Sequence, residues 1–169
     1  MGKRTRIIND PSDLVPLLRT FGSDAHKKVF DILLADWYTT KELEEQLSIE
    51  VDESLSILKK CGLVESKWRM PEPGKKPEKE FHTSYSKIQV NFQCSIEDLS
   101  DLLMITFSRD DELRNMMEHI ETEVMNGNQS MAGLSRAIGA SPLYLRGVAR
   151  RSDKLIVKGQ RIEFVGAPG

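Results

Sequence analysis

The residues of this chain best suited to chemistry are two groups of cations, and the chemistry they suit is phosphate binding. Between residues 59 and 79 stand Lys59, Lys60, Lys67, Arg69, Lys75, Lys76 and Lys79. Ammonium and guanidinium groups pair with phosphate oxygens and release condensed counterions, which gives affinity that falls with salt. Near the other end Tyr144, Arg146, Arg150, Arg151 and Lys158 form a second group, backed by Arg136, Lys154 and Arg161. With the hydroxyls of Ser54 and Ser56, the two groups are the candidate contacts to double-stranded DNA. Each has a plain structural alternative. Glu72, Glu78 and Glu80 nearly cancel the lysines around them. Residues 95–128 hold two basic and nine acidic side chains, and could neutralise residues 129–169, with seven basic and two acidic. Local balance therefore says more about partners than the whole-chain charge of -2.

Other chemistries find no support. A phosphate-binding glycine loop, a nucleophile elbow and clustered carboxylates with a basic partner are all missing. His26, His82 and His119 are scattered. His119 beside Glu118 or Glu123 could hold a metal, but such surface neighbours are common. We expect no enzyme, no metal, no cofactor and no identifiable small-molecule effector. Cys61 and Cys94 are too few and too far apart for a disulfide framework, which fits a reducing cytoplasm. The basic start has no apolar stretch behind it, so it does not read as a signal peptide. No apolar run approaches the roughly 20 residues of a membrane helix.

The elements that must position the first group lie in residues 39–85. Thr40 is a plausible N-cap, and Leu43 and Leu47 repeat at helical spacing. Val51, Leu55 and Leu58 mark the inner face of a second helix, capped by Ser48 or Asp52 and ended by Cys61-Gly62. Leu63 and Val64 open a strand that carries Trp68. Residues 70–80 hold prolines and paired charges and form a loop. Phe81, Thr83 and Tyr85 alternate again as the returning strand. Two helices followed by a charged hairpin make the winged helix-turn-helix pattern. Residues 59–65, KKCGLVE, resemble the end of the recognition helix in ArsR-like and MarR-like regulators, and residues 24–34 resemble the helix those proteins place before it. The likeness covers residues 11–92 and implies a prokaryotic-type, DNA-binding transcription regulator.

Around this core, residues 1–9 read as an irregular arm carrying Lys3, Arg4 and Arg6. Ser12 caps a helix over 13–21 with Leu14, Leu17 and Leu18 on one face. Ser23 caps the next. Residues 87–92 alternate, and either extend the sheet or cross to the next helix. Ser95 opens a helix with Ile96, Leu99, Leu102, Leu103 and Ile105. Ser108 caps a longer one with Leu113, Met116, Met117, Ile120 and Val124. The ArsR resemblance implies that terminal helices dimerise, so Leu14, Leu17, Leu18, Leu99, Leu102, Leu103, Leu113, Met117 and Ile120 are the candidate homodimer interface. Residues 129–169 repeat the order helix, turn, helix, hairpin, with Ser141-Pro142 as cap and first helical residue.

The expected fold is therefore mainly α with small β-hairpins (α+β). Residues 1–94 form a winged helix-turn-helix domain, 95–128 a helical dimerisation segment, and 129–169 a second winged-helix-like unit. The first recognition helix starts with Glu50, Asp52 and Glu53, poor equipment for a phosphate-lined groove. The alternative function is thus a winged-helix protein-interaction module.

Overall fold

The computed structural model describes residues 4–166. In chain order these form strand β1 (Thr5–Ile8), a 3-10 turn (Pro11–Asp13), and helices α1 (Leu14–Thr20) and α2 (Asp24–Leu33). Then come β2 (Tyr38–Thr39), α3 (Thr40–Leu47), α4 (Asp52–Lys60), β3 (Val64–Trp68), β4 (Lys79–Thr83) and β5 (Lys87–Val90). The rest is α5 (Ile96–Phe107), α6 (Asp110–Met125), α7 (Met131–Ile138), α8 (Pro142–Arg151), β6 (Leu155–Lys158) and β7 (Arg161–Phe164). This is the α+β architecture the pattern predicts. The described residues divide into two compact units, 4–8 with 20–91, and 9–19 with 92–166.

In the first unit, Ser23 caps α2 as expected, and Val29 and Leu33 are buried on its inner side. The cap of α3 is Thr39, one residue earlier than the sequence indicates. Its hydroxyl accepts from the Glu42 N–H while the Glu42 carboxylate accepts from the Thr39 N–H, a reciprocal capping box. Helix α4 has no side-chain cap, because Val51 occupies that position and is buried. Asp52 and Glu53 lie in its first turn and Lys59 and Lys60 in its last, each sign at the end the helix dipole favours. The acidic start of α4 thus has a local structural cause. Gly62 follows at φ +72°, a left-handed turn that glycine adopts without steric cost.

A three-stranded sheet in the order β2-β4-β3 closes this unit. β3 and β4 pair antiparallel from Val64↔Thr83 to Trp68↔Lys79. The expected irregular arm is instead β1, which pairs in parallel with β5 from Thr5↔Lys87 to Ile8↔Val90. Arg6 donates to the Cys61 carbonyl at 2.8 Å, and Arg4 pairs with Glu65 at 3.5 Å. Both are tied into the unit, while Lys3 lies outside the described residues.

The second unit is built around α8. Leu145, Val148 and Ala149 share a core with Val15, Leu102, Ile105, Leu113, Ile120 and Leu134. The helices α5 and α6 are therefore not a separate segment. They pack with α7, α8 and the β6–β7 hairpin, and residues 9–19 join the same unit. Asp10, not Ser12, is the cap before α1, accepting from the Ser12 N–H, and Ser12 itself is buried. Ser95, Ser130 and Ser141 cap α5, α7 and α8. Ser108 instead ends α5, and α6 starts after Arg109.

Gly147 marks the closest approach of α8 to α5. A Cβ there would stand 3.0 Å from Leu102 Cδ2 and 3.1 Å from Ile105 Cδ1. Gly147→Val is expected to overpack this contact and cost about 1–3 kcal/mol, read from the urea midpoint. Gly147→Ala should be milder, since better helix propensity offsets part of the crowding.

Candidate nucleic-acid interface

On α4 the inner side chains Leu55 and Leu58 are buried, which leaves Ser56, Lys59 and Lys60 on the outer face. Lys59 Nζ donates to Ser66 Oγ at 3.1 Å. This bond joins the end of α4 to one face of the β3–β4 ribbon. Strand alternation assigns Val64, Ser66 and Trp68 to that face, opposite Thr83, Phe81 and Lys79. Lys79 Nζ stands 5.2 Å from the centroid of the exposed Trp68 ring. Lys75 and Lys76 are exposed in the loop beyond, with Lys75 paired to Glu72 at 2.6 Å. The end of α4 and the ribbon are thus tied together through Lys59 and Ser66, while Lys75 and Lys76 border a cavity shared with Glu42 and Arg69.

The opposite face of the ribbon is an ionic clamp. Arg69 donates from Nε to Glu80 at 2.6 Å and from Nη1 and Nη2 to the two oxygens of Glu42 at 2.6 and 3.0 Å. Lys67 reaches Glu80 at 3.5 Å and lies 4.1 Å from the Trp37 ring centroid, and Trp37 stacks on His82. Arg69 therefore fixes the wing to the start of α3, and Lys67 is shared between an acid and a ring. Neither is the free phosphate contact the sequence suggests. The hydrogen bonds from Arg69 hold the Glu42 carboxyl below its ordinary range. A depressed carboxylate contributes stability above its unfolded pKa, about 4.3, and that contribution is lost as pH falls through the folded value. Glu42→Gln should remove this acid-sensitive part of the unit's melting curve. Glu42 keeps 38% of its side chain exposed, so screening holds the effect below about 1 kcal/mol.

Several further expectations are corrected. Ser54 is buried, with its Oγ 2.7 Å from His26 Nδ1. It links α4 to α2 and does not face a duplex. Arg146 pairs with Asp10 at 3.3 Å, and Arg150 with Asp13 at 2.7 Å. Arg151 is 3% exposed. It donates to the carbonyls of Ile105 and Ser108 at 2.6 and 2.8 Å and to Asp110 at 2.6 Å. Tyr144 is half-buried against the core. Helix α8 is thus a central packing element whose arginines are internally neutralised. Lys158 stays exposed and pairs with Glu163 at 3.0 Å. The acidic 95–128 region does meet the basic tail, through Arg151–Asp110 and Lys154–Glu121.

The expected dimer residues divide in the same way. Leu17, Leu102, Leu113 and Ile120 are buried, and the last three belong to the second unit's own core. The heptad-like spacing of Leu113 and Ile120 on α6 serves packing inside the unit. Met117 packs against that core and Leu14 is half-buried. Leu18, Leu99 and Leu103 remain exposed. Ile96, Met104 and Phe107, on α5 with Leu99 and Leu103, are more exposed and are not among the expected contacts. Their signal was the nearly unbroken apolar run of α5, more than one buried face requires.

Each unit orders its elements as helix, helix and antiparallel hairpin, which defines a protein with two winged-helix units. The family model of ArsR transcriptional regulators matches residues 8–166, and the chain belongs to this family. No curated protein matches it. The match spans both units, whereas the resemblance read from the sequence stopped at residue 92. Among the described residues, no helix is long and apolar enough to cross a membrane, and no group of three or more His, Cys, Asp or Glu is placed to hold a metal ion.

Proposed function

We infer that this chain binds promoter DNA as a homodimer in the cytoplasm and regulates transcription by occupying the site. It is a binding protein, not an enzyme. The observation that carries this reading is the set of exposed cations on α4 and the wing, two elements tied together by the Lys59–Ser66 bond. Ser56, Lys59 and Lys60 sit where a helix enters the major groove, and Lys75, Lys76 and Lys79 follow the backbone. The second unit supplies the dimer contact, through the exposed apolar face of α5 formed by Ile96, Leu99, Leu103, Met104 and Phe107. A two-fold dimer places its half-sites about 34–36 Å apart, or a multiple of that.

Binding of the full chain to genomic fragments, titrated against salt, tests the reading. Affinity should fall steeply as salt rises, with a log–log slope near -0.9 per phosphate contact. Mass measurement at low concentration, with Phe107→Ser as the disrupting variant, tests the dimer. Absence of DNA binding at low salt would favour the interaction-module alternative, for which the exposed Glu50, Asp52 and Glu53 would be the docking face.

A further inference from the structure

All four residues of β5 are exposed. The strand belongs to a two-stranded sheet, with β1 on one side and an open edge on the other. The Lys87 N–H donates to the Arg4 carbonyl at 3.3 Å, and the Asn91 N–H to the Ile8 carbonyl at 2.9 Å. In a parallel pair of this register the backbone groups of Lys87, Gln89 and Asn91 face β1. The N–H and C=O groups of Ile88 and Val90 therefore point to the open edge. The side chains of Ile88 and Val90 share a face with Arg6 and Ile8 beside them. Ile8 is fully buried, whereas Ile88 and Val90 are 49% and 50% exposed. This apolar face is covered under β1 and left open along β5. Edges of this kind are commonly blunted by proline, a bulge or a covering element. β5 carries no proline, and its one charge, Lys87, stands at its first residue.

We propose that the β5 edges of two copies of this chain pair antiparallel about a two-fold axis at Gln89, giving a sheet in the order β1-β5-β5-β1. The strand is its own complement. In this register Ile88 exchanges backbone hydrogen bonds with Val90 of the partner subunit, and Val90 with the partner's Ile88, so every outward group of the strand is satisfied. An axis at Ile88 or Val90 would set the other of the two against a residue outside the strand. Ile88 lies beside the partner's Val90, apolar on apolar. Lys87 meets the partner's Asn91, so the two lysines stand at opposite ends of the joint. Any extended strand can form such a ladder. Register, apolar pair and lysine spacing together match β5 itself, so the occupant is a second copy, joined by the same surface on both sides. A strand this short buries less than the roughly 1,000 Å² of a stable interface. The joint therefore works between copies held together elsewhere, where its effective concentration is high. It rests on the homodimer reading above: residues 91–95 alone separate β5 from α5, the helix that carries the proposed dimer face.

The test is sedimentation of the full chain over a range of concentrations, for the wild type, Gln89→Lys, Gln89→Glu, an equimolar mixture of those two variants, and Val90→Pro. Gln89 is exposed and the Val90 N–H takes no part in pairing with β1, so each variant should fold. At the axis Gln89 faces the partner's Gln89 with the Cα atoms about 4.5 Å apart. Like charges placed there should raise the dimer Kd about fivefold in either single variant. In the mixture lysine meets glutamate, and the Kd should return to the wild-type value or below it. A merely structural role for Gln89 would not give this rescue. Val90→Pro removes an outward N–H from each copy and should raise the Kd at least about tenfold. A wild-type Kd in both charge variants, or a loss that the mixture does not restore, overturns the strand joint and leaves the homodimer standing. A wild type that stays monomeric at every concentration overturns both.

Discussion

Arg151→Ala is expected to destabilise the second unit by about 3 kcal/mol while leaving the DNA affinity of the folded protein unchanged. The guanidinium is almost fully buried and donates to two carbonyls at the end of α5. Those carbonyls form the negative end of that helix, where a cation is favoured. Each charge-assisted bond contributes about 1.5–3 kcal/mol. The third bond, to Asp110, adds little because that carboxylate is 82% exposed. Chemical denaturation followed through the second unit reads the loss. A DNA-reading role for α8 would give the opposite pattern, with stability retained and affinity lost.

The second large effect belongs to the first unit. Changing Lys59, Lys60, Lys75 and Lys76 together to alanine should lower DNA affinity by about two to three orders of magnitude near about 0.1 M salt. Four lost contacts flatten the salt slope by up to about 3.6. The full value is not expected, since Lys75 must first leave Glu72 and Lys59 must leave Ser66. The fold should persist, because all four side chains are exposed. Fluorescence anisotropy at several salt concentrations measures affinity and slope together. An affinity loss with an unchanged slope would mean that these lysines act through the fold and not on phosphates.

What the sequence disclosed is mostly local. The helix-turn-helix, its hairpin, the serine caps at Ser23, Ser95 and Ser141, and the order of the second winged unit all follow from short-range spacing and turn chemistry. Long-range pairing was hidden. β1 pairs in parallel with β5 across most of the first unit's length, and four residues of TRII carry no mark of that partner. The ionic partners of Arg146 and Arg150 are Asp10 and Asp13, from the opposite end of the chain. Charge counting over neighbouring blocks points to residues 95–128 and finds only the partners of Arg151 and Lys154.

Apolar residues at helical spacing say that a helix has a face, not what covers it. Leu102, Leu113 and Ile120 looked like dimer residues and are core. Ile96, Met104 and Phe107 on α5 are the ones left uncovered. Likewise, basic residues on α8 looked like a reading surface, yet a helix that touches α5, α6, α7 and β6 has no open face to read with. Ser54 and Arg69 carried polar chemistry that folding turned inward. Trp68 was legible as a strand residue, but its exposure depends on where the ribbon outruns the helices.

Amide hydrogen exchange of the full chain with and without duplex DNA tests the central claim most directly. Exchange should slow at residues 56–60 and 66–79 and stay unchanged along α8. Protection of α8 or of the β6–β7 hairpin, with residues 56–79 exchanging as in the free protein, would contradict it.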